Sequence, residues 1–194
     1  MYTVVGMEKI EVVRGLRMPF LPMPTTKGRS LRAPRLVSEL AEEIKTNNWV
    51  VQPSMAGDRV CLAVVDRKVY VQNDHGGWYK KQISRLHDFL RLPNRTVLDG
   101  VVYENEFHPF DLLAVDAKSF LFRSAAEREV LAFQMVRFIE HTWMFSKPTA
   151  AWLMRRNDNL PRYTGVVLKD AKSHYLPPPS KGHSSLLWFS RKWS

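Results

Sequence analysis

The sequence predicts one mixed fold of strands and helices, and two patterns carry this prediction. Short β-rich segments are separated by turn residues, as at 49–51, at the turn over Pro53 and Gly57, and at 60–65. Between such segments lie stretches with apolar residues at helical spacing, at 34–45 and 124–141. The 194 residues are 45% hydrophobic and 11% aromatic, which is typical of a globular chain with one sizeable core.

The charge balance indicates the class of partner. The chain carries 29 Lys and Arg against 19 Asp and Glu, which gives a net charge of +10 and a pI near 9.9. An excess of this size favours a polyanionic partner such as nucleic acid. We expect no membrane span and no secretory signal, and therefore an intracellular, cytoplasmic protein. Cys61 is the single cysteine and lies in an apolar run, so we expect a buried thiol without a disulfide partner.

The N-terminal part predicts an edge strand at 1–11, an extended proline-rich path and then a basic loop. Lys27, Arg29 and Arg32 in this loop could contact phosphates, and a solvated linker without a partner is the alternative. A helix over 34–45 follows. Further along, the pattern predicts a hairpin turn at 66–68, a short helix at 83–92, and strands at 95–103 and 107–116.

The best predicted helix covers 124–141, because Ser124 is a suitable N-cap and Glu127 completes a capping box. Its predicted apolar face includes Val130, Val136 and Phe138. An apolar stretch at 142–153 predicts a strand and a helix in the core, and strands follow at 162–170 and 188–193. Between them, a basic patch or a solvated loop is predicted for three arginines: Arg155, Arg156 and Arg162.

The stretch from Ser54 to Arg59 resembles the nucleotide-binding motif of the covalent nucleotidyltransferases, the family of ATP-dependent DNA ligases, RNA ligases and mRNA capping enzymes. That motif is Lys-x-Asp-Gly, often with an Arg two residues further on. Here Gly57 and Arg59 match, whereas Ser54 stands at the Lys position and Ala56 at the Asp position. The sequence therefore matches the glycine and the arginine of the motif but not its nucleophile.

Two further motifs resemble the central strands of the same family. Residues 98–101 are similar to Leu-Asp-Gly-Glu, in which the Glu contacts ribose or helps to bind the metal, but Val101 stands at the Glu position. Residues 110–113 are Phe-Asp-Leu-Leu, as in the family. The resemblance implies that Phe110 is the aromatic residue that stacks on a purine, and a core phenylalanine is the alternative.

The last two motifs lie near the C-terminus. Residues 164–169 are similar to Glu-Gly-Val-Val-Leu-Lys, with Lys169 matching and Thr164 at the position of the metal-associated Glu. Residues 188–192 are similar to the closing Trp-x-Lys-x-Lys strand, with Ser190 at the first Lys and Lys192 at the second.

The resemblance implies an α+β, ligase-like nucleotidyltransferase (ATP-grasp-like) domain of two mostly antiparallel sheets with flanking helices. It would cover 34–194, after an extended basic arm at 1–33, and we expect no OB-fold domain. The candidates for the nucleotide pocket are Gln52, Ser54, Arg59, Phe110, Lys169 and Lys192. The candidates for nucleic-acid binding are Lys27, Arg29, Arg32, Arg155, Arg156 and Arg162.

The chemistry of the family needs groups that this sequence lacks at the matching positions. A lysine amine attacks the α-phosphate, and the alcohol of Ser54 has a far higher pKa and no evident neighbouring base. Ala56, Val101 and Thr164 remove acidic groups that would hold Mg²⁺. We therefore expect no catalytic residue, no metal and no cofactor, with ATP and Mg²⁺ as weaker alternatives.

Three functions stay open at this point. The first is an inactive ligase-like domain that binds nucleic acid, DNA rather than RNA, in a salt-sensitive manner. The second is a degenerate domain that binds a protein partner with an acidic surface. The third is an active ligase whose nucleophile is a displaced lysine, such as Lys27 or Lys45.

Overall fold

The computed structural model describes residues 26–27, 49–139, 163–175 and 188–192. Its helical elements are a 3-10 helix, Leu86–Arg91, and helix α1, Ala125–Val136. Its strands are β1 Thr26–Lys27, β2 Trp49–Met55, β3 Asp58–Val65, β4 Lys68–Asn73, β5 Thr96–Tyr103, β6 Glu106–Val115, β7 Lys118–Ser119, β8 Tyr163–Asp170 and β9 Trp188–Lys192.

The strands form two sheets, as the resemblance implied. The four-stranded sheet has the order β1-β9-β8-β2, and the five-stranded sheet has the order β4-β3-β5-β6-β7. Every pairing is antiparallel except that of β1 with β9. The fold class is therefore α+β with mostly antiparallel sheets.

The β2–β3 connection links the two sheets, because β2 belongs to one and β3 to the other. The predicted turn over Pro53 is wrong in detail: β2 continues through Pro53, and the turn lies at Ala56 and Gly57. Since β2 is an edge strand, its proline is tolerated there. Gly57 has a φ of +129°, and a Cβ on it would collide with the Val102 carbonyl oxygen and lie 2.8 Å from Cγ1 of Val101.

The five-stranded sheet is buried on both faces. On one face, Leu62, Leu98 and Leu112 pack with residues of the 3-10 helix and of α1. On the other face, Cys61, Ala63, Val97, Leu113 and Tyr175 form a second cluster. Burial raises the pKa of the Cys61 thiol well above its usual value, as expected for a structural cysteine.

The structure confirms the start of the helix predicted at 124–141 and corrects its end and part of its buried face. The Ser124–Glu127 capping box is present, but the helix ends at Val136, short of residue 141. Val130 and Phe138, predicted to face the core, are 49% and 67% exposed. The helix instead buries Arg128 and Glu129, because they face polar groups of the two sheets that it covers.

The remaining predictions divide in the same way. The hairpin and the strands predicted at 95–103, 107–116, 162–170 and 188–193 are confirmed, and the helix predicted at 83–92 is a shorter 3-10 helix. The predicted strand at 1–11, the helix at 34–45 and the stretch at 142–153 lie outside the described residues. None of the helices in the described ranges is long and apolar enough to cross a bilayer.

Candidate nucleotide groove and its charge network

Two buried carboxylates face each other at the centre of the five-stranded sheet. The β5–β6 register places Asp99 opposite Asp111, and both residues are at most 1% exposed. Like charges directly opposite on neighbouring strands repel, and burial removes the water that would screen them. The pair therefore requires cations within hydrogen-bond distance, and the fold supplies them from three different elements.

Asp111 is held by two buried cations. Arg128 on α1 donates from Nε at 2.8 Å and from Nη2 at 3.2 Å, and Lys169 on β8 donates from Nζ at 3.1 Å. Burial alone would raise the pKa of Asp111, but the charges of Lys169 and Arg128 outweigh it and hold this pKa below the usual value. Burial lowers the pKa of Lys169, and the Asp111 charge offsets only part of that effect.

Asp99 is held by Arg59 and Tyr175. Arg59 on β3 donates from Nε at 3.2 Å and from Nη2 at 2.7 Å, and the Tyr175 hydroxyl donates at 2.9 Å. Burial alone would lower the pKa of Arg59, but the Asp99 carboxylate outweighs it and holds this pKa above its usual range. The Arg59 side chain is 19% exposed, so it is the one member of this pair that reaches solvent.

Gln52 joins the two sheets within the same network. Its Nε2 donates to the Phe110 carbonyl oxygen at 2.9 Å and to Oε1 of Glu129 at 3.2 Å. Glu129 is buried on α1 beside Arg128. The buried acids are thus Asp99, Asp111 and Glu129, and the cations are Arg59, Arg128 and Lys169, so the formal charges of the network cancel.

Phe110 lies against two cations of this network. The centre of its ring is 5.2 Å from Cζ of Arg59 and 4.9 Å from Nζ of Lys169. These separations are within the range of cation–π attraction. The half-buried ring therefore contacts two charged side chains of its own chain and also packs against the core cluster that contains Cys61 and Leu113.

Solved structures of DNA ligases share this architecture. Mycobacterial DNA ligase D, in a complex with ATP and MES, matches with a TM-score of 0.64 at 18% identity, over 89% of this chain and 60% of that one. The ligase domain of M. tuberculosis LigD matches with a TM-score of 0.63 at 17% identity, over 88% and 59%. The chain has the fold of a ligase adenylation domain. It spans about 60% of the length of these ligase structures. No family model and no curated relative matches the sequence.

The ligase-like fold brings together the positions at which the motif residues differ. Ser54 on β2 pairs with Gly165 on β8, and Thr164 is the residue before that glycine. Val101 on β5 pairs with Arg59, two residues after Gly57 in the β2–β3 turn. Gly165 also pairs with Lys192 on β9. The positions that match the family's nucleophile and acidic groups therefore converge around one turn.

The described residues at this turn do not fit Mg²⁺, which the family's chemistry would require. Valine has no ligand atom, and the Asp58 carboxylate beside Gly57 accepts hydrogen bonds from Tyr79 and Lys81. The buried carboxylates of Asp99 and Asp111 each accept hydrogen bonds from cations. Within the ranges that the structure describes, no group of three or more His, Cys, Asp or Glu side chains could hold a metal ion.

The candidates for nucleic-acid binding are mostly outside the described residues. This applies to Arg29, Arg32, Arg155, Arg156 and Arg162. Lys27 lies on β1, opposite Ser190, and the register runs on through Val167 to Gln52. Three strand spacings of about 4.8 Å separate the backbones of Lys27 and Gln52, or about 14 Å.

Sequence reasoning missed five members of the site: Asp99, Asp111, Arg128, Glu129 and Tyr175. A signal for Asp111 was present, since a carboxylate inside the apolar run 110–115 must find a buried cation. Arg128 and Glu129 carried no such signal, because charged residues on a helix are normally solvated. Their burial depends on where α1 crosses the two sheets.

Proposed function

We propose that this chain is a catalytically inactive ligase-like domain that binds nucleic acid, DNA in preference to RNA. The observation that carries the proposal is the convergence of Ser54, Val101 and Thr164 around the β2–β3 turn. At these positions the family has a lysine nucleophile and two acidic groups. The fold thus resembles that of a nucleotidyltransferase, and the matching positions of this chain do not carry those groups.

The charge network supports inactivity. Transfer of a nucleotide needs cations that meet the phosphates and an amine that attacks the α-phosphorus. Lys169 and Arg59 match family positions, yet each already donates to a buried carboxylate of its own chain. A triphosphate would have to displace Asp111 from Lys169 or Asp99 from Arg59, and either exchange would take a cation away from a buried carboxylate.

The same network supports a polyanionic partner. Its three acids and three cations cancel, so it contributes nothing to the net charge of +10. The whole excess therefore comes from the other residues of the chain, and an excess of this sign favours a partner rich in phosphates. A DNA ligase fold with that excess fits a domain that contacts nucleic acid without reacting with it.

The proposal is tested by two measurements on the full chain. Incubation with α-labelled ATP or GTP and Mg²⁺ or Mn²⁺, followed by denaturing separation, should give no covalent adduct while an active ligase is labelled in parallel. A mobility-shift series with duplex DNA and with RNA should show a linear fall of log affinity with log salt concentration. An adduct would contradict inactivity, and no shift at low salt would contradict nucleic-acid binding.

The same labelling experiment tests the alternative in which a lysine outside the motif position is the nucleophile. The backbone of Lys27 lies three strands from Gln52, and Lys192 lies two strands from Ser54. Lys45 is outside the described residues. If an adduct forms, mapping of the labelled peptide identifies which lysine carries it.

A second candidate function is a protein-interaction subunit. It is favoured by exposed apolar side chains on or beside α1: Phe122, Val130, Phe133 and Phe138. Such a group of side chains can mark a contact surface. The outcome that favours this function is the absence of any DNA or RNA shift at low salt.

A further inference from the structure

One end of the five-stranded sheet carries three neighbouring connections. They are the β3–β4 turn at Asp66 and Arg67, the 93–95 segment that leads into β5, and the β6–β7 turn at 116–117. The registers place them side by side, because Val64 pairs with Thr96 and Val97 pairs with Ala114. All three therefore lie along the edge of this sheet that is formed by the ends of its strands.

A row of cations runs along this edge: Arg67, Lys68, Arg95 and Lys118. Arg67, Lys68 and Lys118 are exposed, and Arg95 is half-buried. None of the four forms an ion pair with any residue in the described part of the chain. The acids in the same connections are Asp66 and Asp116, so the row keeps a positive excess.

The row is held in place by hydrogen bonds between neighbouring connections. The backbone N–H of Asp66 donates to Oδ1 of Asn94 at 2.8 Å, and Nδ2 of Asn94 donates to the Asp66 carboxylate at 3.2 Å. The Thr96 hydroxyl donates to the Pro93 carbonyl at 2.8 Å. These bonds order the backbone before a partner arrives, which lowers the entropy cost of binding. They also occupy the Asp66 carboxylate next to Arg67.

The size of the row suits a nucleic-acid backbone. Lys68 on β4 and Lys118 on β7 are four strand spacings apart in the sheet, or about 19 Å. Duplex DNA carries about one negative charge per 1.7 Å of its axis, so a segment of this length presents several phosphates. Val64 lies at the end of β3 next to the row, and Arg59 lies five residues earlier in the same strand. The distance between these two positions along β3 is about 17 Å.

We infer that this edge, named here the turn row and consisting of Arg67, Lys68, Arg95 and Lys118, is the principal site at which the protein binds the phosphate backbone. The inference rests on the proposed function, since it assigns the nucleic-acid contact of that function to a surface. The surface lies at the end of the sheet opposite the ligase-like turn. Binding is independent of base sequence, because side chains that contact phosphates read no base edges.

The test compares two double variants of the full chain in a duplex-DNA titration at several salt concentrations. Lys68→Gln with Lys118→Gln removes two charges from the turn row. Lys80→Gln with Lys172→Gln removes two exposed lysines from elsewhere and is the matched control. Each lost phosphate contact lowers the slope of log affinity against log salt by about 0.9, so the row variant should lose about 1.8. A slope difference of 1.8 corresponds to a roughly 200-fold relative loss of affinity between 1 M and 50 mM salt, so the row variant should bind far more weakly than the wild type at 50 mM.

Each outcome decides between the two proposals. A smaller slope for the row variant and an unchanged slope for the control support the inference. DNA binding with equal slopes for the wild type and the row variant overturns the inference and leaves the proposed function intact. An equal loss in both variants also overturns it, because the contact would then be spread over the whole surface. If the wild type binds neither DNA nor RNA at low salt, both proposals fail.

Discussion

The centre and the edge of the five-stranded sheet use charge in opposite ways. At the centre, Asp99 and Asp111 are buried and each is bound to cations of the same chain. At the edge, the cations of the turn row are largely exposed and form no ion pair among the described residues. The difference shows that a cation's position in a motif does not decide whether its charge is available to a partner. Arg59 and Lys169, at ligase-like positions, each bind a buried carboxylate of the chain, whereas the cations of the turn row, which no motif marks, form no ion pair with a described residue.

The largest expected effect breaks the central network. Asp111→Asn removes the carboxylate that accepts from Arg128 and Lys169, which leaves two buried cations without their counter-charge. Loss of one partner of a buried ion pair destabilises by about 3–5 kcal/mol. Urea unfolding followed by circular dichroism measures this change. A loss below about 1 kcal/mol would show that the network does not hold the sheets together.

A smaller loss is expected from the half of the network that reaches solvent. Arg59→Met leaves Asp99 buried, with the Tyr175 hydroxyl as a remaining donor. Because Arg59 is 19% exposed, its removal should cost about 2 kcal/mol, less than that of a fully buried partner. The same urea experiment compares it directly with Asp111→Asn, and a larger loss for Arg59→Met would reverse the proposed ranking.

Acidification should weaken the network through Asp111. The pKa of this carboxyl is lower in the folded protein than the usual value near 3.8, so the unfolded chain binds the proton first as the pH falls. Its contribution is complete above about pH 4 and is lost as the pH falls through the folded pKa. Unfolding midpoints between pH 7 and pH 3 should therefore fall more steeply in the wild type than in Asp111→Asn. Parallel curves would contradict this assignment.

The smallest effect on stability is expected at the turn row. Lys68→Gln with Lys118→Gln removes exposed charges that form no ion pair with a described residue, so the free energy of unfolding should change by less than about 0.5 kcal/mol. Thermal unfolding measures it. A large loss would mean that these lysines hold the fold, and the contrast between centre and edge would then disappear.

The fold could be predicted further than the site. Alternation and turn residues identified β3 to β6, and the capping box located the start of α1. The end of α1 and the burial of Arg128 and Glu129 could not be predicted, because they depend on contacts with strands distant in sequence. Arg59 and Lys169 were placed in the groove by resemblance, yet their partners follow from the register of β5 with β6. The turn row had no motif at all, since only the strand order brings its members together.

Close packing, and not chemistry, determines two glycines of the ligase-like motifs. A side chain on Gly57 would collide with the Val102 carbonyl, and one on Gly100 would collide with the Phe107 ring. Both glycines are therefore required by the crossing of the chain between the sheets and by close packing, whatever reaction the domain performs. A sequence comparison that depends on these glycines therefore detects the ligase fold. A comparison that depends on the nucleophile detects the catalytic activity. Only the second can tell a working enzyme from a domain that has kept the architecture for another purpose.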